Sequence, residues 1–297
     1  VAQARLSRSE QISGWAFIAP ALVLLGLFMI YPIVWSLWMS FQVGKGMNFS
    51  FGGFANIVRL TKDPVFIRAL VNTLTFLVIQ VPIMIVLALL AATALNDPTL
   101  RFRGLFRTAI FLPCVTSLIA YSTLFKSMFS TDGVVNKMLM ALWIIQEPIH
   151  WLQDPFWAKV LIILAITWRW TGYNMVFYLA ALQNIDRSIF EAARIDGASA
   201  WDRFWHITVP MLKPVILFTT IVSTIGTLQL FDEVNNITQG GPSDSTLTLS
   251  LYIYNLTFKF MPSFGYSATV SWVIVLLVAV LSFAQFIIAR DKKGAAS

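Results

Sequence analysis

Long apolar runs, each near the roughly 20 residues that a helix needs to cross the hydrocarbon core of a bilayer, alternate along this chain with short polar stretches. Six membrane spans are predicted, at about 14–40, 66–95, 104–129, 157–184, 211–236 and 264–289. The second is longer than a bilayer requires and is expected to tilt or to extend beyond the lipid. The third carries Pro113 inside it. No glycine-rich linker divides the chain and no span-length repeat is evident, so residues 1–297 read as a single all-α transmembrane domain behind a short tail, 1–13.

Composition agrees. Hydrophobic residues make up 58% and charged residues 12%, against about 25% charged in an average soluble domain. The net charge of +7 is not a nucleic-acid signature, because the cations sit in the short segments between spans. With the N-terminus inside, twelve Lys and Arg fall on the inner side and eight on the outer, and Arg169 completes the total of 21. The two tightest clusters, Arg101–Arg107 and Arg290–Lys293, both fall inside. The bias of cations toward the cytoplasm therefore predicts cytoplasmic termini. One cysteine, Cys114, excludes an intrachain disulfide, and the two histidines, His150 and His206, form no metal-ligand pattern. Trp143, Trp151 and Trp157 are expected as interfacial anchors.

One inner loop, 186–210, is built to fold. Ser188 and Glu191 have the spacing of a capping box for a helix over about 189–196. Gly197 fits the left-handed stop that follows a helix. Ser199 and Asp202 resemble a second box, opening a helix expected to end before Pro210. Acids (Asp186, Glu191, Asp196, Asp202) and bases (Arg187, Arg194, Arg203) are nearly balanced. Two readings stand: an amphipathic hairpin in the lipid interface, or a docking element for a partner. Interfacial helices carry mainly cations on the polar face, and the balance here favours docking.

The stretch EAARIDGAS followed by ITVPMLKP resembles the EAA loop of permease subunits of bacterial ABC importers. Glu191, Ala192, Ala193, Gly197, Ile207 and Pro210 match the positions of that pattern, and Asp196 lies within the block. NTLTF (72–76), RGLFRTAIFLP (103–113), LAALQNIDRSIFEAARIDGAS (179–199) and TQGGPSDST (238–246) resemble its carbohydrate-uptake branch, which includes the maltose, lactose and glycerol-3-phosphate permeases. The resemblance implies a type I importer permease fold of six helices in the bacterial inner membrane, with the loop acting as a coupling helix seated on an ATPase. It implies a second permease subunit, two ATPase subunits that bind ATP and Mg, and an extracytoplasmic solute-binding protein. The residues agree with ATP being bound elsewhere: no G-x-x-x-x-G-K-[ST] loop is present. No catalytic or metal-binding residue and no cofactor of its own are expected of this chain.

Polar residues inside spans are costly and call for a role. The fourth span carries Trp168, Arg169, Tyr173 and Asn174, and the fifth Ser223, Thr227, Gln229 and Asp232. Ser223 and Thr227 are one turn apart and share a face. By the resemblance, Tyr173, Ser223 and Thr227 fall at or near sugar-contacting positions of the maltose permease. Interhelical hydrogen bonding is the alternative. Arg169 has two possible partners, a carboxylate of Asp232 or Glu233 or an acidic solute, and internal pairing ranks first. A stand-alone carrier or channel is the competing function, and a membrane scaffold a third. A carrier would commonly show carboxylates or glycine-broken helices within the spans, and a scaffold has no need of a capped cytoplasmic hairpin.

Overall fold

The computed structural model describes residues 8–291, with side chains described for 12–289. The ends that carry Arg5, Arg8 and the Arg290–Lys293 cluster lie wholly or in their side chains outside these limits. The described residues form two compact units, 8–62 with 253–272 and 63–252 with 273–291.

In the first unit, α1 (Arg8–Leu25) passes through a widened turn at Gly26–Ile30 into α2 (Tyr31–Ser40). None of the described side chains from Ile12 to Ser40 is buried within the chain, and an apolar helix that is exposed all round is suited to lipid. A β-hairpin follows, β1 (Gln42–Lys45) antiparallel to β2 (Asn48–Phe51), so VGKG is a strand and turn rather than a phosphate loop. The buried Asn56 amide on α3 (Ala55–Lys62) donates to the carbonyls of Ser40 (2.9 Å) and Gln42 (2.8 Å), which fixes the helix-to-strand corner. The hydroxyl of Thr269, in α14 (Phe264–Asp291), donates to the same Ser40 carbonyl at 3.1 Å.

The second unit is built on α4 (Pro64–Asn96) packed against α8 (Pro155–Gln183). Both begin with Asp-Pro. Asp63 accepts from the amides of Val65 and Phe66, and Asp154 from those of Phe156 and Trp157, with proline at the first helical position where no amide is needed. The inward stripe of α4 includes Ala69, Thr73, Phe76, Gln80, Met84, Ala88 and Ala92, while Val71, Val78, Val86 and Leu90 face outward. Small and polar side chains inside with aliphatic ones outside is the arrangement lipid imposes. At one end Ala88, Leu89, Ala92 and Leu95 pack on Met175, Tyr178, Leu179 and Leu182. The Tyr178 hydroxyl is hydrogen-bonded to Thr219 at 2.6 Å.

Three expectations are corrected. The third span is not one helix. α5 (Arg103–Val115) and α6 (Leu118–Met128) meet at 101° across extended Thr116 and Ser117, giving five long apolar helices among the described residues, or six spans if this bent pair is one. The fifth span ends earlier: α11 (Val209–Leu228) stops eight residues short of 236, and a short α12 (Asp232–Ile237) follows. Pro210 does not end the preceding helix. α10 (Ala200–Arg203) runs through a widened turn at Phe204–Thr208, closed by Val209 N–H to the Phe204 carbonyl, straight into α11. A widened turn also precedes Pro32. Widening shifts the carbonyl that a proline ring would otherwise strike four residues back, so the helix continues.

The three tryptophans expected as anchors also divide. Trp143 is 92% exposed, as an anchor would be, but Trp151 is 5% exposed and donates its indole N–H to Asn136 Oδ1 at 3.0 Å. Asn136, on α7 (Val134–Ala141), also donates to the carbonyls of Thr131 and Ile149 and accepts from the Ile149 amide. Trp157 packs edge-on against Trp151 with centroids 4.9 Å apart. The TQGGPSDST corner is tied to α4 by the Asn72 amide, which donates to the carbonyls of Asp244 (2.8 Å) and Leu247 (3.0 Å).

Candidate functional site

A cavity of about 330 Å³ lies among α4, α8, α11 and the turn into α12. This is at the lower end of the volumes typical of small-molecule sites, about 300–1,000 Å³. α8 contributes Trp170, Tyr173 and Asn174, one turn of its inner face. α11 contributes Ser223, Gly226 and Thr227, again one turn, with the glycine leaving room between the hydroxyls. α4 supplies Gln80 and Met84, and residues 229–233 close the remaining side.

The polar wall is organised. The Thr227 hydroxyl donates to Gln80 Oε1 at 3.1 Å, and the Gln80 and Asn174 amides point to the Met84 sulfur at 3.2 and 3.4 Å. Asn174 also donates to the Trp170 carbonyl at 3.0 Å, which leaves its Oδ1 buried without a partner. A buried acceptor of this kind costs about 1–3 kcal/mol if it stays unmet. The rings of Trp170 and Tyr173 stand nearly perpendicular, 87° with centroids 5.7 Å apart. Aromatic walls beside hydroxyl, amide and carboxylate groups can hold a molecule with apolar faces and a hydroxylated rim.

Of the residues singled out in the sequence, Tyr173, Asn174, Ser223, Thr227, Gln229 and Asp232 share this cavity. Trp168 and Arg169 do not line it. Trp168 faces α6, stacked on Tyr121 at 5.8 Å and tilted against Phe125 at 5.4 Å. Arg169 is 8% exposed and lies with one guanidinium nitrogen 4.0 Å from Glu233 Oε1, between the rings of Tyr121 and Trp170. Its ion-pair partner is thus Glu233, 4% exposed, rather than the exposed Asp232. Sequence reasoning passed over Gln80, Met84, Trp170, Gly226 and Glu233 as wall residues. Gln80 carried a signal: it is the lone amide in the apolar run from Phe76 to Leu90.

The 186–210 hairpin forms the second feature. α9 (Arg187–Ile195) starts two residues earlier than expected, because Asp186, not Ser188, is its cap and accepts from the Ser188 amide at 3.0 Å. The Ser188–Glu191 box is therefore not formed, and Glu191 is exposed instead. Gly197 takes the left-handed conformation (φ +81°), and the Ala198 amide reaches back to the Ala193 carbonyl at 2.9 Å. The Ser199–Asp202 box is complete in both directions, at 3.1 and 3.0 Å. Those hydrogen bonds hold the Asp186 and Asp202 carboxyls below the usual range: the Ser188 amide acts on the first, the Ser199 hydroxyl foremost on the second. Ala192, Asp196 and Pro210 are exposed with Glu191, whereas Ala193 is half-buried. Ile195 projects at 87% exposure. Phe204, by contrast, is buried in the same cluster as Leu95, Leu182 and Leu212, so the hairpin is anchored in the helices it follows.

Residues 49–293 match the family described as binding-protein-dependent transport system inner membrane component. The chain is similar to the lactose transport system permease protein of Rhizobium radiobacter, 69% identical over 97% of each chain. It is 34% identical to an arabinooligosaccharide transport system permease of Halalkalibacterium halodurans, over 96% of this chain and 90% of that one. A bacterial alginate ABC transporter, solved with an alginate pentasaccharide-bound periplasmic protein, superimposes with a TM-score of 0.81 at 25% identity, covering 93% of each chain. With its multi-pass helical fold and capped 186–210 hairpin, the chain belongs to the family of binding-protein-dependent transport system inner membrane components.

Proposed function

We propose that this chain is a membrane-spanning subunit of an ATP-driven importer for a neutral saccharide, lactose or a closely related disaccharide. The cavity carries this reading: aromatic walls with hydroxyl and amide groups, in a chain 69% identical to a lactose permease. Two carboxylates, Asp232 and Glu233, line it, no Lys or Arg is among its described lining residues, and Arg169 is held behind Glu233. That electrostatic balance supports a neutral sugar over an acidic one.

ATP and Mg are bound by two partner ATPase subunits, and this chain makes or breaks no covalent bond. A second permease subunit completes the membrane part, and an extracytoplasmic binding protein delivers the sugar. The complex sits in the bacterial inner membrane with both termini cytoplasmic. The exposed part of the hairpin, with Glu191, Ala192, Asp196 and Gly197, seats on an ATPase subunit. ATPase closure moves it, and the unbroken path from α10 through the widened turn into α11 carries the motion to Ser223 and Thr227. Phe204, buried among α4 and α8 residues, makes the hairpin and the helices move together.

The test is lactose uptake in cells that depend on this chain. Tyr173→Ala and Thr227→Val should lower uptake roughly tenfold each, the value of one well-made polar or aromatic contact. ATP hydrolysis without sugar should stay unchanged. Uptake equal to wild type in both variants would remove the cavity from the transport path.

A further inference from the structure

At the hairpin end of the second unit lies another cavity, of about 240 Å³, among the end of α4, the start of α5 and the α8–α9 junction. Its wall holds Arg103, Arg107 and Arg187 together with Asn96 and Gln183, and no carboxylate. Among the described residues none of these arginines is in an ion pair. Arg107 donates one N–H to the Leu95 carbonyl at 2.8 Å, while its Nε is buried with no partner. Asp186, next to Arg187 in the chain, is engaged as the cap of α9, and Asp97 and Glu191 lie in the adjoining groove, which Arg187 also lines, together with Arg194 and Arg203. α5 opens beside the cavity with Arg103 as its first residue and no side chain capping its free amides.

Three unpaired guanidinium groups facing one small space repel one another unless an anion sits among them. Arginine forks match tetrahedral oxyanions two oxygens at a time, and free amides at a helix start add to the attraction. We propose that this cavity binds the phosphate of an acidic phospholipid headgroup. Inorganic phosphate shares that chemistry. The flank distinguishes them: Phe102, Leu105 and Phe106 are exposed apolar residues at the start of α5, a surface for acyl chains that a free ion has no use for. Asn96 and Gln183 are placed to meet headgroup hydroxyl or ester oxygens.

The test uses the full chain, purified with the subunits that accompany it, in bilayer discs of mixed phosphatidylglycerol and phosphatidylcholine. Lipids that survive stepwise detergent washing are counted by mass spectrometry. Wild type should retain phosphatidylglycerol selectively. Arg103→Gln with Arg187→Gln should weaken that retention roughly 30-fold, each cation beside an anionic lipid being a factor of about five. If the double variant does not assemble, Arg103→Gln alone should show the single factor. Lys45→Gln with Lys259→Gln, in the other unit, should leave retention unchanged. Equal retention in wild type and the arginine variants would overturn the proposal. So would displacement of the lipid by millimolar inorganic phosphate, which would make the site one for a soluble anion.

Discussion

Arg169 and Glu233 show what single residues decide in this protein. Both are nearly fully buried, one behind the cavity and one in its wall. Removing one partner of a buried pair strands the other charge, typically at about 3–5 kcal/mol. Arg169→Met should therefore lower the thermal stability of the detergent-solubilised protein markedly. Adding Glu233→Gln should recover most of the loss, because no charge is then left alone. A double variant no more stable than Arg169→Met would show that the arginine acts through Tyr121 and Trp170 rather than through Glu233. The arginine was legible in the sequence as the sole cation deep in a span, with two adjacent acids ranked ahead of an acidic solute as its partner. Which acid turned inward was not legible, since it depends on where α12 begins. Gln80 stood out as a lone amide in an apolar run, but its partner Thr227, 147 positions away, was not legible.

At the scale of elements, the 186–210 hairpin depends on its caps and its turn. Gly197→Val should disorder it, since a β-branched residue resists positive φ. Fluorescence of Trp201 and Trp205, or protease sensitivity of the loop, would report this, and an unchanged loop would contradict it. The caps give a pH dependence with a defined sign. The Asp186 and Asp202 carboxyls lie below their ordinary 3.8 when folded, so their stabilisation is complete above that value and is lost as pH falls through the lowered one. Hairpin amides should stay protected at neutral pH and open below about pH 3.8; opening near pH 6 would point to another group. Helix packing adds a prediction at Gly172. A Cβ there would run into the Ile110 carbonyl of α5, so Gly172→Val should push α5 from α8 and reduce the yield of folded protein. The hairpin was largely legible because capping chemistry is local. The cap slipped from Ser188 to Asp186 because both residues can serve, and two residues of register separate them. The α5–α6 bend was hidden because the apolar run continues across it.

For the whole molecule, the length of the apolar runs located the long helices, since lipid requires apolar length and little else. The β-hairpin between α2 and α3 was missed, its short strands offering no pattern against the neighbouring runs. In the proposed function, the exposed face around Glu191 couples sugar movement to ATP hydrolysis by partner subunits. The most direct measurement is ATP hydrolysis by the complex purified on this chain and reconstituted in liposomes, with and without lactose-loaded binding protein. The expected result is stimulation by the loaded binding protein, abolished by Glu191→Lys while the cavity residues are intact. Hydrolysis absent from the wild-type preparation, or stimulation undiminished in Glu191→Lys, would contradict it.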